Sequence, residues 1–271
     1  MAERLAVDEH IFVFITSGCS TVTGRLGVQI SPAGLEVMKM TVGIIGGMGS
    51  ESTSDFYLDL TRMAQKKCLS RPSIIIDSLP IKFSTEEKFI KNWDGKEEFL
   101  GWITQALKRL EKIEVDFIAI PCNTAHIFIE KLRGMTRIPI ISIIEETAKI
   151  CSEKRFKRIG LLATTLTTKN RLYEKEFEKI GIEVSNVINE DQEILSDIIH
   201  KIVIRQASEK EQKLLQSLIE KLKNQGAEAI VLGCTDLEIL IKGDHGVEII
   251  DSMNTLAKST FEKLFLKENQ R

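Results

Sequence analysis

The sequence IPCNTAH occupies residues 120–126 and ends the apolar run at residues 116–120. A short apolar run bounded by a turn signal predicts a buried strand of a parallel sheet. A second copy lies at residues 229–236, where AIVLG is followed by Cys234, Thr235 and Asp236. In open α/β sheets, ligands bind beyond the carboxyl ends of the strands. The sequence therefore predicts two related strand ends that face a ligand, each with a cysteine and a threonine.

An earlier strand precedes each cysteine strand. Residues 41–50, TVGIIGGMGS, predict a strand and a glycine-rich turn, and residues 158–165, RIGLLATT, repeat this pattern with threonines in place of the glycines. Nearly the same number of residues separates the first strand from the cysteine in both copies. Such a repeat implies two similar α/β halves with mostly parallel sheets. Pseudo-twofold packing would place the two cysteines face to face across a cleft, which is a usual place for a small-ligand site.

Local signals predict several helix boundaries. Ser52 and Asp55 are spaced as a capping box at the start of the first helix. Apolar periodicity predicts further helices over about residues 125–132 and 168–180. Residues 1–39 do not follow the repeat, and we predict that they form an N-terminal extension outside the core.

Composition limits the class of protein. The chain has 271 residues, of which 43% are hydrophobic and 28% charged, with a formal net charge of −2. This charge gives no electrostatic reason to expect nucleic acid or an anionic membrane as a partner. No apolar run approaches the roughly 20 residues that span a bilayer. The five cysteines are odd in number and widely spaced, so we predict reduced thiols and a cytoplasmic location.

Two thiols on opposite sides of one carbon could racemise a substrate. A thiolate on one side would take the Cα proton while a thiol on the other side donates one, and the roles would exchange for the mirror-image substrate. Asn123, Thr124 and Thr235 carry donors that suit a substrate carboxylate. No lysine has a setting that suggests a Schiff base, so no cofactor is expected.

Other uses of these residues remain open from the sequence. A strand-end cysteine is often only a small buried apolar residue. A metal site could combine Cys122, His126, Cys234 and His245, although His126 is also explained as a polar residue on the helix behind Cys122. A redox disulfide would lack the C-x-x-C signature. The remaining cysteines, with no such setting, are interpreted as incidental: Cys19, Cys68 and Cys151.

Five segments together resemble the aspartate/glutamate racemase family, cofactor-independent enzymes with two catalytic cysteines, and the glycine loop is similar to that of the aspartate racemase branch. These segments are residues 43–49, 121–126, 160–167, 173–177 and 232–235. The resemblance implies that Cys122 and Cys234 are the acid/base pair, without a cofactor or metal. It further implies that Asn123, Thr124, Thr164, Thr167 and Thr235 hold the substrate, with the backbone around Met48 lining the site.

The resemblance also implies an organisation. It predicts a first α/β domain of residues 40–143 plus 251–271, since the C-terminal helix of the family packs back on the first half. Residues 144–250 would form the second α/β domain, with the active site in the cleft between them. A homodimer is the usual assembly of the family.

Some positions depart from the family pattern, and they bear on the substrate. Ser50 stands where proline is usual, Leu166 where glycine is usual, and Asp236 where glutamate is common. Lys82 and Arg205 are the candidates for binding the distal carboxylate. We predict a racemase that interconverts L- and D-aspartate, and glutamate as a further substrate. The alternatives are a related hydantoin racemase or decarboxylase, or a small-acid binding protein without catalysis.

Overall fold

A computed structural model describes residues 40–67, 70–82, 85 and 94–265. The predicted extension over residues 1–39, and with it Cys19, lies outside these residues, as does Cys68. The strands are β1 (Thr41–Gly46), β2 (Ser73–Ser78), β3 (Phe117–Ala119), β4 (Ile140–Ile141), β5 (Arg158–Ala163), β6 (Glu183–Asn186), β7 (Ala229–Gly233) and β8 (Glu248–Asp251). The α-helices are α1 (Ser50–Lys67), α2 (Lys96–Lys112), α3 (Ile129–Arg133), α4 (Ile143–Glu153), α5 (Thr165–Lys169), α6 (Leu172–Glu178), α7 (Glu190–Val203), α8 (Glu209–Asn224) and α9 (Ser252–Lys263). Two 3₁₀ helices follow the cysteine strands, η1 (Thr124–Phe128) and η2 (Leu237–Leu240).

The strands form two four-stranded sheets of the same topology. The orders are β2-β1-β3-β4 and β6-β5-β7-β8, and every pair of neighbouring strands is parallel. The prediction of two similar, mostly parallel α/β halves is therefore confirmed. In each sheet the cysteine strand, β3 or β7, lies between the first strand and the last strand of that half. Since both cysteines follow carboxyl ends of parallel strands, each lies where such sheets bind ligands.

The two halves share a central hydrophobic core and keep separate outer layers. Helices α1, α4, α6 and α9 supply the central core together with one face of both sheets. Helix α2 covers the outer face of the first sheet, and α7 and α8 cover that of the second. Helix α9 packs against α1 and α4. The division into residues 40–143 plus 251–271 and residues 144–250 stays a prediction.

The local helix predictions needed three corrections. Helix α1 begins at Ser50, so Ser52 lies inside the helix and is not its cap. The helix predicted over residues 125–132 is a 3₁₀ turn, η1, followed by α3. The helix predicted over residues 168–180 is interrupted between α5 and α6 at Arg171, whose φ of 52° is left-handed and stops a right-handed helix.

Across the part of the chain that the structure describes, no helix combines the length and the apolar character needed to cross a bilayer.

Candidate active site

The two cysteines occupy matching strand ends but differ in exposure. Cys122 lies in the turn after β3 and is half-buried, whereas Cys234 follows β7 directly and is 7% exposed. Burial raises the pKa of the Cys234 thiol well above its usual range, and the charges of Asp236 and of Cys122 raise it further. Each sulfur therefore lies at the carboxyl end of the cysteine strand of its own half.

The glycine-rich loop after β1 is fixed by its own hydrogen bonds. Gly47 has a φ of 86°, and a Cβ there would lie 2.7 Å from the backbone nitrogen of Leu79, so only glycine fits. Its N–H donates to Thr53 Oγ1 at 2.9 Å, and that hydroxyl donates to the Gly49 carbonyl at 2.9 Å. Met48, which the sequence assigns to the lining of the site, is buried against the outer core of the first half. The loop is therefore preformed.

Three of the predicted substrate-binding hydroxyls meet in one buried cluster. Thr124 Oγ1 lies 2.9 Å from Thr164 Oγ1 and 3.3 Å from Thr167 Oγ1, and the last two are 3.0 Å apart. Thr124 comes from the first half, and the other two come from the start of α5 in the second. Thr164 is the N-cap of α5 and accepts from the Thr167 N–H at 3.3 Å. Because hydroxyls can rotate, this cluster can offer donors to a carboxylate placed between the halves.

Asn123, beside the first cysteine, is held by side chains of the later part of the chain. Tyr173 Oη donates to Asn123 Oδ1 at 2.6 Å, and Asn123 Nδ2 donates to Ser252 Oγ at 3.0 Å. Ser252 Oγ in turn donates to the Leu232 carbonyl of β7 at 2.6 Å. All these groups are buried. The Asn123 side chain is therefore held by Tyr173 on α6 and by Ser252 at the start of α9.

A second network joins the other cysteine to the first half. Ser52 Oγ donates to Asp236 Oδ1 at 2.6 Å, and Thr235 Oγ1 donates to Ser52 Oγ at 3.3 Å. The Cys234 thiol points to Asp236 Oδ2 at 3.8 Å. This role of Ser52 is not evident from the sequence, in which Asp236 stands out only as a departure from the family pattern. That departure was the one signal available, since the contact joins residues 184 positions apart.

The two predicted distal-carboxylate residues lie outside the threonine cluster. Arg205, just after α7, forms an ion pair with Glu51 in the first turn of α1, and its side chain is 78% exposed. Lys82 is exposed in the loop after β2. Within the described residues, neither side chain forms a hydrogen bond with the threonine cluster. The Arg205–Glu51 pair does span the two halves.

His126 has a structural role behind Cys122. Its Nε2 accepts from the Ile143 N–H at 3.1 Å, so the proton is on Nδ1, which donates to the Cys122 carbonyl at 2.8 Å. Burial lowers the pKa of His126 to about 4, so the ring is neutral at pH 7. Both ring nitrogens are therefore used, which contradicts a metal site at His126.

The structure also bears on His245, considered for a metal site, and on the thiol of Cys151. His245 contacts Gln216 on α8 through Nδ1. No group of three or more potential metal ligands occurs among the residues that the structure describes. Burial raises the pKa of Cys151 to about 12, so that thiol is protonated at neutral pH.

Comparison with known proteins identifies the family. The sequence profile of Asp/Glu/hydantoin racemases matches residues 45–260. The chain belongs to this family. The broad specificity amino-acid racemase RacX of Bacillus subtilis (strain 168) is 33% identical over 229 residues, which cover 81% of this chain and 96% of that protein.

Solved structures agree with this assignment. The aspartate racemase of Picrophilus torridus has a TM-score of 0.66 at 25% identity, covering 83% of this chain and 94% of that chain. An aspartate racemase homologue from Pyrococcus horikoshii OT3 has a TM-score of 0.68 at 27% identity, covering 83% of this chain and 99% of that chain. The resemblance found in the sequence is confirmed, and this member of a racemase family is an isomerase.

Proposed function

We propose that this racemase interconverts L- and D-aspartate without a cofactor, with Cys122 and Cys234 exchanging protons at opposite faces of Cα. The observation that carries the proposal is the placement of the two sulfurs. They follow matching strand ends of the two halves, and hydrogen-bond networks that join the halves hold the residues beside them. A single thiol could not supply both the base and the acid on opposite sides of one carbon.

The proton transfers balance without another reactant. One sulfur, as thiolate, forms a bond to the Cα proton, and the C–H electron pair stays on the substrate carbon. The other sulfur, as thiol, gives its proton to the opposite face of Cα. The enantiomer is formed, and the two sulfurs have exchanged protonation states.

The hydroxyl cluster of Thr124, Thr164 and Thr167 supports binding of the α-carboxylate. Its oxygens are already within hydrogen-bond distance of one another, so little reorganisation is needed when a carboxylate replaces these contacts. Donors to the carboxylate stabilise the negative charge that develops when Cα loses its proton. The side-chain amide of Asn123 and the hydroxyl of Thr235 are assigned to the same task.

Arg205 and Lys82 are assigned to bind the side-chain carboxylate of aspartate. Arg205 would exchange Glu51 for the substrate, and since this ion pair is exposed to solvent, its loss costs little, about 0–1 kcal/mol. Two structural neighbours carry the name of aspartate racemase, which favours this side chain. The broad specificity of the RacX relative favours a wider range, so neutral amino acids are the second candidate substrates.

The experiment is a proton-exchange assay in D₂O on each enantiomer of aspartate, glutamate and a few neutral amino acids. We expect deuterium at Cα and formation of the mirror-image product, with aspartate as the best substrate. Deuterium uptake with neutral amino acids alone would replace aspartate with the wider range. No uptake with any of them would reject racemisation and leave the binding protein, which ligand-induced thermal stabilisation would detect. Release of CO₂ would instead identify the decarboxylase.

We also propose that the protein works as a homodimer in the cytoplasm on a small acidic amino acid, with neither nucleic acid nor membrane as a partner. The assembly is testable by sedimentation of the purified chain. A monomer that is fully active would reject the dimer without affecting the proposed reaction.

A further inference from the structure

The carboxylate of Asp236 is placed to act on the Cys234 thiol. It lies two residues after this cysteine, at the start of η2, and its Oδ2 accepts from the Cys234 thiol at 3.8 Å. Its other oxygen, Oδ1, accepts from Ser52 Oγ of the first half at 2.6 Å. The two contacts fix both oxygens, so the carboxylate cannot turn away from the sulfur without losing Ser52.

The other charges around Asp236 are also negative. Glu51 and Asp55 of α1 both act to raise the pKa of Asp236, after the larger effect of burial. Across the cleft, Cys122 acts on Cys234 in the same direction. Arg205 is paired with Glu51. The Asp236 carboxylate and Cys122 therefore both raise the pKa of Cys234, while a hydrogen bond from the Asp236 backbone N–H, with a smaller effect than the carboxylate, lowers it.

The Cys122 side chain has a different setting. It is half-buried in the turn after β3, and the residue two positions later is Thr124, which belongs to the hydroxyl cluster. No carboxylate occupies the position that matches Asp236. The two thiols are thus chemically unequal although their strand ends match.

We propose that Asp236 is a positioning residue that keeps the proton of the thiol pair on Cys234, so that Cys122 is the thiolate in the resting enzyme. This inference rests on the proposed two-thiol racemisation. The resting enzyme takes the enantiomer whose Cα–H faces Cys122. The turnover leaves Cys122 as thiol and Cys234 as thiolate. The resting pair is restored when Cys122 gives its proton to water and Cys234 takes a proton from water. No oxidant, reductant or other reactant is required.

The decisive variant is Asp236→Asn, which keeps the shape and removes the charge. The activity kcat/KM needs one thiolate and one thiol, so it falls at high pH when the second thiol ionises. We expect Asp236→Asn to move this alkaline limb to lower pH by about 1 pH unit, because a neighbouring negative charge is removed. Asp236→Glu keeps a carboxylate, so we expect its alkaline limb of kcat/KM at the same pH as in the wild type. Asp197→Asn, at an exposed carboxylate paired with Lys201 on α7, is the remote control.

A second measurement does not depend on turnover. Alkylation of the purified protein by iodoacetamide over a pH series, read on the Cys122 and Cys234 peptides by mass spectrometry, reports each thiolate separately. In Asp236→Asn we expect the Cys234 labelling curve to move to lower pH by about 1 pH unit, with the Cys122 curve moved less. A Cys234 curve and an alkaline limb that both stay in place in Asp236→Asn would overturn the inference. If the wild-type protein showed no racemisation, the proposed function would fail, while the labelling curves would still decide the role of Asp236.

Discussion

The two halves of this racemase have the same topology and different chemistry at their cysteines. In both sheets the cysteine follows the third strand of its half, and a 3₁₀ turn follows the cysteine. Four residues after Cys122 is His126, which is buried and neutral. Four residues after Cys234 is Glu238, whose pKa is raised to about 7 by partial burial and by the nearby carboxylate of Asp251. The repeated fold therefore gives the two cysteines matching positions, while the turns that follow them carry different titratable residues.

The networks that hold the two strand ends also differ, although each crosses between the halves. Asn123 is held by Tyr173 and Ser252, which are neutral. Asp236 is an acidic residue, and Ser52 holds it through a hydrogen bond. A residue near each cysteine is therefore held by a side chain from the other half, Asn123 by Tyr173 and Asp236 by Ser52. Substitutions at each strand end can test whether the halves are equivalent in catalysis and in stability.

The largest effect is expected from removing either sulfur. Cys122→Ser and Cys234→Ser should each lower racemisation by about 10²–10⁴-fold, the usual contribution of one general acid or base. Both losses should be large because each turnover uses one sulfur as base and the other as acid. The measurement is kcat/KM for both enantiomers.

Cys151→Ala is the matched control, since this thiol is also buried but lies in the central core. It should keep most of the activity of the folded protein. Loss of activity in only one of the two serine variants would show that one half carries the chemistry alone.

The sequence was sufficient to predict two parallel α/β halves, and the strand ends at which Cys122 and Cys234 lie, because both depend on local pattern. Apolar runs that end in Cys122 and Cys234 can be recognised as strand ends, and the repeat of these runs predicts two sheets. The contacts between halves could not be predicted, because Ser52 and Asp236, or Tyr173 and Asn123, are far apart in the chain. The wrong capping role of Ser52 has the same origin: the spacing to Asp55 is a local signal, and the contact with Asp236 is not.

The next largest effect is expected on the stability of the protein, through His126 in the first half. The pKa of His126 is lowered from 6.5 to about 4 by burial, so the unfolded chain binds a proton between these values and the native state does not. The part of the unfolding free energy that depends on neutral His126 is fully present above pH 6.5. It is lost as the pH falls toward 4, by up to about 3 kcal/mol. Denaturant unfolding at pH 7 and at pH 4.5 measures it.

Other groups titrate in this range, so the comparison must be made with variants. The His126→Gln variant should be less stable than the wild type at pH 7. The difference in unfolding free energy should narrow as pH falls, because only the wild type has a His126 whose protonation favours the unfolded chain. His200→Gln, on α7 of the second half, is the histidine control. A gap that stays constant from pH 7 to 4.5 would mean that His126 is not held neutral by burial.

The smallest effect is expected at the contact that holds Asn123. Tyr173→Phe keeps the ring in the central core and removes only the hydroxyl that donates to Asn123 Oδ1 at 2.6 Å. The amide oxygen, in a residue 2% exposed, is left without this donor, so unfolding free energy should fall by about 1–2 kcal/mol. Because Asn123 adjoins Cys122, kcat/KM should also fall, by several-fold. Tyr57→Phe, at a tyrosine 40% exposed on α1, is the matched control and should change neither quantity. A fall in stability with unchanged kcat/KM would separate the two roles: Tyr173 would then support the packing of the halves without positioning the residue beside the first sulfur.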